Sequence, residues 1–275
     1  MIRRCAWILL VVLAVAPVAQ ANSLSGIRAL LAVGDRAGAQ ALADSLLPTL
    51  PPDLQGEADY LRAQLDERGD RVEGYLRSYL ATEPRGRRSG GAHLELGRIA
   101  FLRGDFPGAL GSFRAARESG REEEGSLWEG LAAYALGDLA VARHALEDAA
   151  RSGNARIRQR AMMGLGDMAR LARDGSSARR WYEEVREEPP RGPGWWAAAT
   201  YRLAEVVESD GDLAGSHALL VELVRLHPES YEAPLARERL RLARERLPET
   251  VAVPAPGDSL AGSDELAVRP WSIQA

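Results

Sequence analysis

The chain has 275 residues and a formal net charge of −4, so its bulk charge does not favour binding to nucleic acid. All 35 basic side chains are arginine and lysine is absent. This bias indicates a GC-rich coding sequence, the alternative being a preference for bidentate contacts with anions. Leu, Ala, Arg, Glu and Gly dominate and aromatic residues make up only 6%, a composition that favours a helical fold.

The first 21 residues are predicted to be a secretory signal peptide. Two arginines precede an apolar core, Ala6–Ala16, which is short for a membrane span. Small residues at Ala19 and Ala21 predict cleavage after Ala21, with an uncleaved anchor as the alternative. Cys5 precedes the apolar core, so the segment does not match a lipoprotein signal. The mature chain would therefore be periplasmic or secreted and would contain no disulfide.

Gly-Asp dipeptides recur along the chain at a nearly constant interval. Four successive pairs are 35, 35 and 33 residues apart, and the last gap of 74 residues contains the reversed pair Asp174-Gly175. Such pairs break helices, and each is predicted to separate two amphipathic segments. The pairs are Gly34-Asp35, Gly69-Asp70, Gly104-Asp105, Gly137-Asp138 and Gly211-Asp212.

The segment from Leu94 to Ala116 shows the repeating unit most clearly. Its first half carries apolar residues at helical spacing, and its second half repeats them at steps of three and four. The apolar positions are Leu96, Ile99, Ala100 and Leu102, followed by Ala109, Phe113 and Ala116. Small residues at Gly97 and Ala109 are predicted to lie where the two helices come closest.

This unit resembles the tetratricopeptide repeat (TPR), a helix-turn-helix module of about 34 residues. The Leu-Gly pair that the family favours in its first helix is present as Leu96-Gly97, and its small-large-small series is present as Ala109, Phe113 and Ala116. The resemblance implies an all-α fold, a right-handed α-solenoid of about six helix-turn-helix repeats. We expect repeats one to five over residues 22–188, and the sixth over 189–247 together with a capping helix from Tyr231 to Leu247.

Two segments depart from a regular repeat. Arg62 stands where the first helix of the second repeat would favour glycine, which predicts looser packing there. Pro84–Gly91 is predicted to be a flexible basic loop, either a solvated connector or a contact for an anionic partner.

In this family the first helices of successive repeats line a groove that holds an extended peptide or a partner helix. The alternative for each groove position is an ordinary surface or inter-repeat contact. The Lys and Asn residues of the family's carboxylate clamp are missing. Mapping the groove positions onto this sequence gives Arg98, Phe101, Leu131, Tyr134, Arg160, Met163, Asp167, Arg170, Tyr201, Glu205 and Glu208.

The C-terminal part changes composition. Residues 248–268 are rich in Pro, Gly, Ser, Asp and Ala and are predicted to be a disordered linker. The segment 269–275, which contains Trp271-Ser272-Ile273-Gln274, resembles the opening strand of a SPOR domain, a family that binds peptidoglycan. A SPOR domain is much longer than this segment, so the resemblance implies a truncated domain, the alternative being an ordinary tail.

No motif in the sequence indicates catalysis. The four histidines are dispersed over different repeats, and no nucleophile elbow or phosphate-binding loop is present. We therefore expect no enzyme activity, cofactor or metal, no nucleic acid partner, and membrane contact only through the uncleaved signal segment. The chain is interpreted as an exported, non-catalytic TPR scaffold for protein–protein interactions in the cell envelope. The alternative is a peptidoglycan-targeting protein of cell division or envelope assembly whose SPOR domain is cut off.

Overall fold

The computed structural model describes residues 24–187 and 193–244, and all regular secondary structure in these ranges is helical. The all-α prediction is therefore confirmed. Three predicted segments lie outside the described residues, so their structure is not described. They are the signal peptide with its cleavage position at Ala21, the predicted linker 248–268 and the predicted strand 269–275. The thirteen α-helices of the described ranges are α1 (24–32), α2 (Arg36–Leu46), α3 (Gln55–Leu65), α4 (Gly69–Thr82), α5 (Ser89–Leu102), α6 (Phe106–Glu118), α7 (Glu122–Leu136), α8 (Leu139–Ala149), α9 (Ala155–Leu171), α10 (Gly175–Glu187), α11 (Pro193–Ser209), α12 (Leu213–Leu226) and α13 (Glu232–Arg244).

The helices belong to two compact units, unit one ending at Met168 and unit two beginning at Ala169. The boundary falls inside α9. In unit one, α3 packs on α4, α5 on α6 and α7 on α8, and α6 also packs on α7. In unit two, α11 packs on α10, α12 and α13. Neighbours in sequence are thus neighbours in space, as repeat architectures require.

Most Gly-Asp pairs form the turn that their chemistry predicts. Gly104 ends the first helix of its repeat with a φ of +79°, a left-handed conformation that is inexpensive only for glycine. Asp105 then caps α6, because its Oδ1 accepts a hydrogen bond from the amide of Gly108 at 3.0 Å. The same positive φ and aspartate cap recur at Gly34-Asp35, Gly137-Asp138 and Gly211-Asp212.

Two of the predicted turns are built differently. Gly69-Asp70 lies in the first turn of α4, and the residue before it, Arg68, caps the helix without a side-chain hydrogen bond. The predicted break at Gly69-Asp70 is therefore wrong, since α3 has already ended at Leu65. In the fifth repeat Arg173 takes the left-handed conformation with a φ of 60°. Asp174 keeps the capping role by accepting from the amide of Ser177 at 3.1 Å.

The close approach of the two helices in the third repeat depends on Gly97. A Cβ at this position would lie 2.5 Å from Cε1 of Phe113, whose side chain is fully buried. Gly130 plays the same part in the fourth repeat, where a Cβ would lie 2.6 Å from Leu146. The predicted tight approach at Gly97 is confirmed. Leu102, which the sequence grouped with the apolar positions of this helix, is the last residue of α5 and is 85% exposed.

In the second repeat the small buried residue is found one position after the site where the sequence comparison expected glycine. Arg62 lies at the helix surface, where its guanidinium donates to Asp59 at 2.7 Å and to the carbonyl of Leu47 at 3.2 Å. Ala63, the next residue, is the small side chain in the buried cluster that contains Leu76 and Tyr79.

The connection after α4 is shorter than the sequence suggests. Helix α5 begins at Ser89, so the predicted loop reduces to residues 84–88. The hydroxyl of Ser89 donates to the carbonyl of Glu83 at 2.8 Å, and the amide of Arg88 donates to the hydroxyl of Tyr79 at 3.2 Å. These hydrogen bonds tie the connection to the end of α4, which contradicts the prediction of a flexible loop through Gly91.

The last helix of the described residues, α13, is the one that the sequence interprets as a cap. Ala233 and Ala236 of α13 are fully buried in one cluster with Leu220 and Leu223 of α12. Tyr231, just before the helix, is 81% exposed. Helix α13 therefore covers part of the apolar surface of α12 with its alanine face.

Candidate peptide-binding surface

The sequence-predicted groove residues fall into two sets that lie in different units. Unit one contains Arg98 and Phe101 on α5, Leu131 and Tyr134 on α7, and Arg160, Met163 and Asp167 on α9. Unit two contains Arg170 at the end of α9 and Tyr201, Glu205 and Glu208 on α11.

Three of the predicted residues in unit one converge on Trp128 of α7. The guanidinium carbon of Arg160 lies 4.4 Å from the centroid of the Trp128 ring, and that of Arg98 lies 5.3 Å away. Phe101 meets the same ring edge-on with the centroids 5.8 Å apart, and Phe113 stacks on it at 5.6 Å. Trp128, which is not among the predicted groove residues, is thus the centre of a cluster drawn from α5, α6, α7 and α9. We call Arg98, Trp128 and Arg160 the arginine–tryptophan cluster.

The two arginines of this cluster differ in their partners. Arg98 forms an ion pair with Glu95 at 2.6 Å, one turn earlier on α5. Its Nε is buried, and no hydrogen bond from the described residues reaches it. Arg160 forms no ion pair with any residue in the described ranges. Burial lowers the pKa of Arg160 below its usual value, and the positive charge of Arg98 lowers it further.

A cleft of about 570 Å³ adjoins Arg98. Its volume is in the range of small-ligand sites and of pockets for peptide side chains. Of the sequence-predicted residues, Arg98 contributes to its wall. The lining is Leu31, Tyr60, Ala63, Gln64, Val72, Leu76, Gly91, Leu94, Glu95, Arg98, Arg121 and Glu124.

Several cleft residues were not predicted from the sequence. Gln64 precedes Arg98 by 34 residues, so the repeat period itself would have identified it. Tyr60, one turn earlier on α3, lies under the guanidinium of Arg88 at 4.9 Å.

The other predicted residues of unit one are less accessible or lie apart from the cleft. Met163 is buried with 6% of its surface exposed. Leu131, Tyr134 and Asp167 are half-buried on α7 and α9, and none of them lines the cleft.

In unit two, Arg239 of α13 joins three of the four predicted residues. Its guanidinium donates to Glu208 at 2.9 Å and to Glu205 at 3.1 Å, and it lies 5.7 Å from the ring centroid of Tyr201. Burial lowers the pKa of Arg239, but the hydrogen bonds to Tyr201 and Glu208 outweigh it, so the pKa is raised. Arg170 approaches Glu205 at 4.0 Å. The capping helix thus engages both glutamates.

The described residues contain neither a candidate metal site nor a candidate membrane-spanning helix. Across residues 24–187 and 193–244, no group of three or more His, Cys, Asp or Glu side chains is placed to hold a metal ion. None of the helices in the same ranges is both long and apolar enough to cross a membrane.

Comparison with known proteins relates part of the chain to one repeat family. The profile of the tetratricopeptide repeat family matches residues 70–123 and 129–193. No curated protein sequence is significantly similar to the chain.

Solved structures share the fold at low sequence identity. PilW, described as a widely conserved type IV pilus biogenesis factor, is 14% identical with a TM-score of 0.63, over 79% of this chain and 98% of PilW. PilF of Pseudomonas aeruginosa is 15% identical with a TM-score of 0.61, over 80% of this chain and 97% of PilF. A tetratricopeptide repeat protein from Parabacteroides merdae is 14% identical with a TM-score of 0.60, over 82% of this chain and 87% of that protein. The family model thus supports tetratricopeptide repeats within residues 70–193, and the solved structures show a shared all-α fold of paired helices.

Proposed function

We propose that this protein is a scaffold for protein–protein interactions and that unit one binds an extended segment of a partner polypeptide. The observation that carries the proposal is the cleft of about 570 Å³, most of whose lining comes from α1, α3, α5 and α7, the first helices of four successive repeats. The resemblance of the fold to other TPR proteins supports the same function.

The lining of the cleft suits a polypeptide. Apolar side chains such as Leu31 and Leu94 can contact the partner's side chains. The amide of Gln64 can both donate to and accept from a peptide backbone, and Arg121 and Glu124 add charged groups of both signs. A mixture of apolar walls and a few polar groups is typical of binding sites for organic ligands and peptides.

Site-specific photocrosslinking in the native host tests the cleft. A benzophenone amino acid replaces Gln64, which is exposed at the cleft, or Ala81, an exposed residue of α4 that does not line it. We expect a discrete adduct from position 64 and none from the matched control at position 81. Equal adducts from both positions, or none from either, would count against the cleft as the binding surface.

We propose that Leu131 and Tyr134, which follow on α7, extend this surface beyond the cleft within unit one. Changing Tyr134 to alanine should reduce recovery of a crosslinked partner in a pull-down. Unchanged recovery would limit the surface of unit one to the cleft. Arg170 and Tyr201 are proposed as separate partner contacts within unit two, where Arg170→Ala is the corresponding test.

We also propose that the protein acts in the cell envelope and has no catalytic role. The signal-like segment before Asn22 supports export, and two of the fold relatives are PilW, described as a type IV pilus biogenesis factor, and PilF of Pseudomonas aeruginosa. Mapping of the N-terminus on protein from the periplasmic fraction should give Asn22 as the first residue. A chain that retains Met1 in the cytoplasm would contradict export.

Binding to peptidoglycan is the alternative function, supported by the resemblance of Trp271–Ala275 to a SPOR strand. It requires a complete domain after that strand. The mass and the C-terminal sequence of the intact protein from its host test this alternative. Cosedimentation with glycan strands that lack stem peptides is the corresponding binding assay.

A further inference from the structure

We propose that the arginine–tryptophan cluster binds an acidic side chain, Asp or Glu, of the partner peptide that occupies the cleft. The inference rests on the proposed function, because it assigns the chemistry of the ligand at one end of the same surface. The carboxylate would lie at the guanidinium groups of Arg98 and Arg160, beside the ring of Trp128.

The first observation is an excess of positive charge at the cluster. Both guanidinium groups contact the same indole ring, at 5.3 and 4.4 Å from its centroid, and therefore lie within about 10 Å of each other. Glu95 pairs with Arg98, but Arg160 has no carboxylate partner within the described residues. Two like charges held this close on a partly buried surface repel each other, and a bound anion relieves that repulsion.

The second observation is a terminal amino group of Arg98 that no carboxylate of the described residues occupies. Glu95, which is 49% exposed, pairs only with the terminal NH1 group. The Nε is buried without a partner among the described residues, so a ligand does not reach it. The other terminal amino group of this side chain, which is 37% exposed, can donate a charge-assisted hydrogen bond to a carboxylate.

The third observation is the position of the cluster relative to the cleft. Arg98 lines the cleft on one side and contacts Trp128 on the other, so the two sites are continuous through this side chain. A peptide that lies along α3 and α5 would thus bring its next residues to Arg160. The rings of Phe101, Phe113 and Trp128 pack together and hold the indole in place, so the cation–π contacts are built into the folded unit.

The first test uses random 12-residue peptides displayed at the N-terminus of a phage coat protein, so that every carboxylate comes from a side chain. Selection on the wild-type protein should enrich Asp and Glu at one position relative to the starting library. The enriched peptide is then synthesised with an amidated C-terminus, and its dissociation constant is measured by fluorescence anisotropy.

Three variants report on the arginines. Arg160→Gln should weaken binding about tenfold or more, as expected for the loss of one charge-assisted hydrogen bond, and Arg160→Lys should restore part of the affinity. Arg143→Gln on α8, an exposed position, is the matched control and should leave the affinity unchanged. Replacing the selected Asp or Glu of the peptide with Asn or Gln should cost at least as much affinity as Arg160→Gln. The same peptide change should cost less in the Arg160→Gln protein than in the wild type, because only Arg98 then remains to bind the carboxylate.

A spectroscopic readout locates the peptide. In protein labelled with 5-fluorotryptophan, the peptide should shift the fluorine resonance of Trp128, assigned through Trp128→Phe. The resonance of Trp181 in unit two, which lies under Arg180 at 4.7 Å, serves as the internal reference.

Gln64→Trp separates this inference from the proposed function, because it fills the cleft and replaces no residue of the cluster. If Gln64→Trp weakens peptide binding and Arg160→Gln does not, peptide binding in the cleft is supported and the proposed site for an acidic side chain is overturned. Selected peptides without enrichment of Asp or Glu overturn it as well. If neither variant weakens binding, or if no peptide is selected, both proposals fail.

Discussion

Gly97→Ala is expected to destabilise unit one, although alanine is the better helix former. The added Cβ would lie 2.5 Å from Cε1 and 2.6 Å from Cδ1 of Phe113, whereas carbon atoms in contact are normally about 3.5–4.0 Å apart. The ring of Phe113 is fully buried and stacks on Trp128, so it cannot move by about 1 Å without displacing its neighbours.

The magnitude follows from two opposing contributions. Overpacking of a buried contact costs about 2–3 kcal/mol, and alanine in a helix interior gains about 1 kcal/mol over glycine. The free energy of unfolding should therefore decrease by about 1–2 kcal/mol. Gly111→Ala is the matched control, because Gly111 lies in the facing helix α6 and an added Cβ there meets no atom within 4 Å. This variant should be about 1 kcal/mol more stable than the wild type.

Urea denaturation measures both variants, with circular dichroism at the helix band and tryptophan fluorescence as parallel signals. Repeat proteins often unfold in more than one step, so the two signals should be fitted separately. The reasoning requires opposite signs for the two substitutions and a difference of about 2–3 kcal/mol between them. If Gly97→Ala were as stable as Gly111→Ala, the close contact of α5 with Phe113 would be refuted.

Four further substitutions test the turns and one half-buried histidine. Asp105→Ala should lower the free energy of unfolding by about 1 kcal/mol in urea melts, since it removes the cap of α6, whereas Asp70→Ala should change it little. Equal losses at the two sites would contradict the corrected helix boundaries. Arg173→Gly should raise the thermal midpoint, because glycine relieves a left-handed conformation that costs about 1 kcal/mol; a lower midpoint would speak against that conformation. Burial lowers the pKa of His93, so the imidazole binds a proton more readily in the unfolded chain than in the folded protein. The free energy of unfolding should therefore decrease as the pH falls below about 6.5. His93→Gln should remove that part of the pH dependence between pH values of about 7.5 and 5.5, and an unchanged profile would contradict the assignment.

Local chemistry made much of the fold predictable from the sequence. Glycine tolerates a positive φ and aspartate caps the helix that follows, so four of the Gly-Asp pairs mark real turns. Both effects act within a few residues of the chain. The contact of Gly97 with the second helix was also predictable, because the periodicity of apolar residues places Gly97 and Phe113 on facing sides.

Where local signals competed, the tertiary structure decided. Gly69-Asp70 has the same two residue types as the other pairs, but it lies in the first turn of α4 because α3 has already ended at Leu65. Arg173 adopts the left-handed conformation that glycine would favour, in a turn where the sequence offers Arg-Asp before its glycine. Leu102 is apolar yet exposed at the last residue of α5, so an apolar residue at helical spacing was not sufficient to predict burial.

The candidate site was also predictable from the sequence only in part. The repeat resemblance named Arg98 and Arg160 separately, 62 positions apart, and periodicity alone gave no reason to join them. Their meeting at Trp128 depends on how α5, α7 and α9 pack within unit one, which no local pattern specifies. The sequence by itself thus determined where the helices begin and turn, since those are short-range effects of backbone and capping side chains. Only the tertiary structure decided which charges share one aromatic ring, since long-range packing brings distant residues together.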